Sequence, residues 1–382
     1  MRKPVVLFTF VKAGMGHIIP MQSLSKKFTE KYGDKCEILN SYIFEESCFP
    51  EVRKMGEELE SHTVKTSSNW LYNKVEAISY AFSSKLTLKF LDGHFKKAIP
   101  LFLQDLANIK PDLIVSSYYL PNHLAVKSND LGLTDTLIAT YSPDPYIYPA
   151  WNRNCHLLMV NNDKAFDMAT NSGFDNVKKI PCLFRDEIVN EINTKQSARK
   201  ALGLNDKFTL LYTGGAYGTN GTAKLIKKLL KANLNINLVV VCGKSESIYN
   251  QISALSKFAG KNTSFTVIGF TDKLPTLISA SDVVIGKAGS NTLMEVAHLN
   301  RPLIVYKESS ALEVNAAKYC ESVNTCIRIP NANKIVNFIK KAIDCPTILN
   351  SFAKKDNPFS EKDGAEKASD LLFELLKTKF EF

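Results

Sequence analysis

The segment 283–306 constrains this chain more than any other. It reads Val-Val-Ile-Gly-Lys-Ala-Gly-Ser-Asn-Thr-Leu-Met-Glu-Val-Ala-His-Leu-Asn-Arg-Pro-Leu-Ile-Val-Tyr. The apolar run predicts a buried strand, followed by a glycine turn, a helix beginning near Ser290 and a second strand after Arg301-Pro302. Gly286 and Gly289 let the backbone bend sharply, and Ser290 and Asn291 are expected to cap the helix, with Thr292 beside them. A helix start exposes unpaired N–H groups and a partial positive charge, so it suits a phosphate. Glu295 falls about one turn further on, where its carboxylate is placed to accept hydrogen bonds from ribose hydroxyls.

The 382 residues predict two domains, and 45% hydrophobic residues supply material for two cores. No apolar run reaches the roughly 18 residues of a membrane-spanning helix. Met1-Arg2-Lys3 before residues 5–11 mimics a secretory leader, but the run ends in Lys12 and a glycine turn, so a first strand is expected. The eight cysteines contain no CxxC pair, which favours reduced thiols in a cytosolic protein over a disulfide framework or a zinc site. A net charge of +10 implies an acidic partner: nucleic acid, an anionic membrane surface or a nucleoside diphosphate. With no dense Lys/Arg run interleaved with aromatics, nucleic acid is not expected.

In chain order, residues 4–11 predict a buried strand leading to Gly14, Gly16 and His17, with a helix from about Pro20 to Tyr32. A second strand is expected over 36–42. Beyond it lie Phe44, Phe49, Trp70, Leu71, Tyr72, Tyr80, Phe82, Leu86 and Phe90, mixed with Lys85, Lys89, Lys96 and Lys97. Such mixtures occur in helices lying on a bilayer and in core helices with snorkelling lysines, and both readings stand. Strands follow at 113–117, 137–140 and 155–160, with a helix near 122–131 and another over 164–172. A proline- and tyrosine-rich loop, 141–151, carries Asp144, Tyr148 and Trp151, and Ile180-Pro181 closes the first domain. The second domain opens with a strand at 208–212 and the turn Gly214, Gly215, Gly218, whose N–H groups form an anion cradle. A basic amphipathic helix over 222–232, strands at 238–244 and 265–271, and a last helix over 365–380 complete the reading.

Five of these elements together resemble the GT-B glycosyltransferases, in the group that holds the diacylglycerol glycosyltransferases (MGDG synthase-like) and the lipid II N-acetylglucosaminyltransferase. They are Gly-His-Ile-Ile-Pro at 16–20, Lys-Pro-Asp at 110–112, Thr-Gly-Gly at 213–215, Gly-Phe-Thr-Asp at 269–272 and the 283–306 segment, covering roughly residues 4–35, 105–185 and 205–320. The resemblance implies an α/β, GT-B fold with two Rossmann-like domains facing a cleft. The expected divisions are 1–183 (acceptor and membrane side), 184–355 (nucleotide-sugar side) and 356–382, a helix crossing back to the first domain. It implies inverting, metal-independent transfer of a hexose from a UDP-sugar to a diacylglycerol-type lipid, by a cytoplasmic protein peripheral to the membrane. No cofactor is expected, since the UDP-sugar is itself the donor substrate. His17 or Asp144 would be the catalytic base. Gly16, Gly214, Gly215, Gly218, Phe270, Thr271, Gly289, Ser290, Asn291, Thr292, Glu295, Glu313 and Asn315 would hold the donor, and Tyr148 and Trp151 would line the acceptor side. In the diacylglycerol enzymes the 141–151 loop commonly reads Thr-Asp, then His-Pro-x-Trp. Here Tyr148 stands at the His and Asp144 is displaced. The alternatives are a UDP-N-acetylglucosamine-using enzyme, either lipid II-type transfer or 2-epimerisation, and a non-catalytic UDP-sugar-binding subunit.

Overall fold

The computed structural model describes residues 2–66, 84–191, 193–215, 221–352 and 357–382. Trp70, Leu71, Tyr72, Tyr80, Phe82 and Gly218, named above, lie outside the described residues. The chain divides into two compact units, Met1–Arg185 with Glu361–Phe382, and Asp186–Ser360.

Unit 1 runs β1 (Val5–Thr9), α1 (Met15–Tyr32), β2 (Glu37–Ser41), α2 (Pro50–Thr66), α3 (Ser84–His94), α4 (Ala98–Ile109), β3 (Leu113–Ser116), α5 (Tyr119–Asp130), β4 (Leu137–Tyr141), β5 (Leu157–Val160), α6 (Asp163–Asn171) and β6 (Val177–Lys179). Its six strands pair in parallel in the order β2-β1-β3-β4-β5-β6. The central strands β3, β4 and β5 are buried at every position, as expected of a parallel sheet covered on both faces. Side-chain alternation splits the core in two. Val6, Phe8 and Val115 meet Met21, Leu24 and Phe28 of α1 on one face. Leu7, Ile114 and Ile138 meet Met55 of α2, Phe102 of α4 and Leu124 of α5 on the other.

Unit 2 runs α7 (Asp186–Val189), α8 (Lys195–Ala201), β7 (Phe208–Thr213), α9 (Thr222–Lys231), β8 (Ile236–Val241), α10 (Glu246–Ser253), β9 (Ser264–Ile268), α11 (Leu274–Ala280), β10 (Val283–Lys287), α12 (Ser290–His298), β11 (Leu303–Lys307), α13 (Ala311–Ser322), β12 (Cys326–Arg328) and α14 (Ala332–Asp344). Its sheet is also parallel, ordered β12-β11-β10-β7-β8-β9. The apolar face of α9, Leu225, Ile226, Leu229 and Leu230, packs on Leu210, Tyr212, Leu238 and Val240. Its lysines 224, 227, 228 and 231 lie on the opposite side of the same helix. The last helix, α15 (Gly364–Lys377), belongs to unit 1 and packs against α1, with Phe373 stacked on Tyr32 at 4.0 Å between ring centroids.

Three local expectations are corrected. The first helix begins at Met15 rather than Pro20, so His17 lies in its first turn, and Pro20 is inside the helix. There proline forfeits only the bond to the Gly16 carbonyl, close to a helix end where unpaired groups are already present. Helix α5 begins at Tyr119 and is buried on nearly every side, so it is a core helix. The cap of α12 is Gly289, which makes no side-chain cap bond, and Ser290 and Asn291 are its first helical residues.

Candidate functional site

In an open parallel sheet, ligands gather outside the strand carboxyl ends where the strand order reverses. In unit 1 that switch lies between β1 and β3, which lead into His17 in the first turn of α1 and into Ser117. The two are tied reciprocally: the His17 ring Nδ1 lies 2.7 Å from the Ser117 carbonyl, and the Ser117 hydroxyl donates to the His17 carbonyl at 2.7 Å. A carbonyl oxygen only accepts, so Nδ1 carries the proton and Nε2 keeps its lone pair. The Tyr118 ring meets the imidazole edge-on at 4.9 Å. Burial lowers the His17 pKa from 6.5, and this outweighs the opposing pull of Asp144 and of the Ser117 carbonyl. His17 is therefore a neutral imidazole near pH 7, shaped as a base, with Asp144 half-buried within electrostatic reach.

The 141–151 loop departs from expectation. Trp151, assigned above to the acceptor side, is 4% exposed and packs with Ile147, Leu158 and Val160 in the unit 1 core. Its large apolar ring gains more by filling that space than by facing solvent. Tyr148 is half-buried against the Tyr119 ring at 5.4 Å.

In unit 2 the switch lies between β7 and β10. The carboxyl end of β7 delivers Gly214 and Gly215, and that of β10 delivers Ala288 and Gly289 before α12. The structure thus brings together two glycine turns about 70 residues apart. Gly215 needs its glycine, because its φ is +76°. Gly289 does not: its φ is −68°, and a Cβ added there would meet nothing within 4 Å. The fold leaves open space in front of that backbone, which suits the close approach of a ligand. Gly286 serves packing instead, since a Cβ would lie 3.3 Å from the Thr213 carbonyl and 3.5 Å from the Thr292 methyl. Ser290, Asn291 and Thr292 form a half-buried face at the helix start, and Glu295 beneath them is 4% exposed.

Phe270, two residues past the end of β9, is 65% exposed, with the Lys244 ammonium 5.2 Å from its ring centroid. The Thr271 hydroxyl accepts from the Lys273 N–H at 3.1 Å and shapes the turn into α11. Glu313 takes the Ser309 N–H at 2.6 Å and the Lys287 ammonium at 2.7 Å, while the Ser310 hydroxyl accepts from the Glu313 N–H. That is a capping arrangement, with both carboxylate oxygens engaged by the protein. Asn315 is half-buried two positions later on α13. Sequence reasoning did not single out Ser117, Lys244, Lys287 and Lys307. Each lies at or just past the carboxyl end of a strand, and that position was the available signal.

A cavity of about 410 Å³ opens at the opposite end of this sheet, lined by Lys195, Arg199, Lys207, Asp282 and Arg301 among others. The Arg199 guanidinium is already spent there on Asp282, Asp206 and the Ala280 carbonyl. These contacts fasten the strand starts.

Comparison with known proteins agrees with this geometry. Residues 209–371 match the glycosyltransferase family 28 C-terminal domain. A processive diacylglycerol beta-glucosyltransferase of Bacillus cereus is 23% identical over 342 residues, covering 87% of this chain and 84% of that protein. The UDP-N-acetylglucosamine–N-acetylmuramyl-(pentapeptide) pyrophosphoryl-undecaprenol N-acetylglucosamine transferase of Caldicellulosiruptor saccharolyticus is 23% identical over 266 residues, covering 67% and 69%. The crystal structure of MurG from Acinetobacter baumannii superposes with a TM-score of 0.65 at 14% identity, covering 98% of this chain and all of that one, and establishes the fold as GT-B.

Proposed function

We propose, for a chain that is a GT-B glycosyltransferase carrying a family 28 C-terminal domain, that it moves a hexose from a UDP-sugar to the hydroxyl of a diacylglycerol-type lipid at an anionic membrane surface. The observation that carries the donor half is the pair of glycine turns at the unit 2 switch point, with open space before Gly289 and Glu295 one turn behind it. The helix start and loop N–H groups take the diphosphate, Glu295 the ribose, and exposed Phe270 the base. His17 Nε2 takes the acceptor's hydroxyl proton. The acceptor oxygen bonds to the anomeric carbon from the face opposite the leaving group, the bond from that carbon to the β-phosphate oxygen breaks, and UDP departs with the electron pair.

The membrane half rests on α3. Among its exposed positions are Leu86, 55% exposed, and Phe90, 71% exposed, with Lys85, Lys89, Lys96 and Lys97 exposed around them. Exposed apolar side chains on a stretch with exposed lysines suit an anionic bilayer surface. No helix among the described residues is long and apolar enough to cross a membrane.

The test supplies labelled UDP-glucose, UDP-galactose and UDP-N-acetylglucosamine with anionic liposomes containing diacylglycerol, and counts label in the organic extract. Label from one donor is expected. The lipid reading is overturned if no donor labels the lipid while the protein binds UDP. Epimerisation of UDP-N-acetylglucosamine without acceptor would replace transfer altogether.

A further inference from the structure

Two lysines end neighbouring strands of the unit 2 sheet: Lys287 on β10 is paired in register with Lys307 on β11. Adjacent like charges at the ligand end of a sheet repel unless something takes them up. For Lys287 that is Glu313, at 2.7 Å. Lys307 is half-buried, and among the described residues no carboxylate lies within ion-pair distance of its ammonium, which sits 5.3 Å from the centroid of the Tyr306 ring.

Its backbone meets the turn into α12 and its side chain meets the start of α9. The Lys307 carbonyl accepts the Ala288 N–H at 3.0 Å and so fixes the turn into α12. Its side chain reaches the start of α9, where a Cβ on Gly221 would lie 3.1 Å from Lys307 Cε and 3.5 Å from Nζ. Gly221 is the helix N-cap, with φ +90°, so Lys307 adds a full charge beside a helix start that already carries a partial one.

We propose that Lys307 binds the β-phosphate of the donor and is the counter-charge to the departing nucleoside diphosphate. This rests on the donor-site reading above and adds a residue to it. When the bond from the anomeric carbon to the β-phosphate oxygen breaks, negative charge grows on that oxygen. An ammonium already placed beside the start of α9 meets that charge without reorganising. Lys287 is held off this role by Glu313.

The test is calorimetric titration of the full-length protein with UDP and with uridine. Lys307→Met is expected to weaken UDP at least about tenfold and leave uridine within about twofold, with Lys307→Arg restoring most of the loss. Glu295→Ala is expected to weaken both ligands. Lys287→Met, which strips Glu313 of its partner, is expected to lower the melting temperature more than UDP affinity. Equal weakening of UDP and uridine by Lys307→Met, or a larger UDP loss at Lys287, overturns the assignment. If Lys307→Met is too unstable to titrate, the salt dependence of wild-type and Lys307→Gln binding replaces it, and an unchanged slope overturns the proposal. Wild-type protein that binds neither ligand overturns the donor-site reading itself. Wild-type UDP binding that survives Lys307→Met intact while falling with Glu295→Ala overturns only the role of Lys307.

Discussion

His17 shows how a distant backbone carbonyl selects the chemistry of a side chain. The Gly-His pair after the first apolar run was visible in the sequence, but Ser117 lies 100 residues on and was not. Without that carbonyl, His17 and Asp144 were equal candidates for the base. With it, the proton sits on Nδ1 and the free lone pair on Nε2. Burial lowers the ring's pKa from 6.5, so a glycosyl-transfer rate that depends on it should fall on the acid side only below pH 6.5. Stability follows the same shift. The unfolded chain binds this proton near pH 6.5 and the folded ring only at lower pH, so stability declines from pH 6.5 down to the folded pKa and levels off beneath it. His17→Gln is expected to lower kcat about a hundredfold, leave donor KM unchanged and remove that acid limb. A limb that survives in the variant's pH profile would assign the titration to another group.

At the scale of elements, the strands were legible because apolar runs buried on both faces admit few other readings. Helix ends were less so. Pro20 pointed to a start five residues too late, because a proline near a helix start costs little and tertiary packing of Met21, Leu24 and Phe28 decides the rest. Trp151 was misplaced for a related reason: a loop aromatic reads alike whether it meets a ligand or fills a core. Lys287 and Lys307 were not singled out, because a lysine closing a strand looks like the end of an element. For α3 the sequence left membrane and core readings open. The structure leaves Leu86 and Phe90 exposed on it. Burying such side chains in a bilayer is worth about 1.5–3 kcal/mol each. Leu86→Ser with Phe90→Ser should therefore weaken sedimentation with anionic vesicles by at least about tenfold, with the melting temperature unchanged. Unchanged sedimentation would remove α3 from the membrane contact.

For the whole molecule, the two sheets share one plan: a parallel order that reverses beside the first strand of each unit, with glycine turns or His17 at the reversal. The chain leaves unit 1 at Arg185, builds unit 2 and returns at Glu361, so the core of unit 1 is closed by its last residues. Leu372, Phe373 and Leu376 of α15 are buried in that core beside Phe8, Phe28 and Val115. Gly364 starts the helix where a Cβ would fall 2.4 Å from both the Pro181 and the Cys182 carbonyls, so only glycine lets the returning chain lie against its own exit point. Three such side chains contribute roughly 5–9 kcal/mol, an upper figure because unfolded chains are partly collapsed. That is comparable to the whole stability of a domain, about 5–15 kcal/mol. A chain ended at Ser360 should therefore lose the cooperative melting of unit 1 while unit 2, whose core includes none of these residues, still unfolds in one transition by scanning calorimetry. Gly364→Ala should lower the unit 1 transition without abolishing it. A truncated chain with both transitions intact would mean that α15 only covers a core that closes without it.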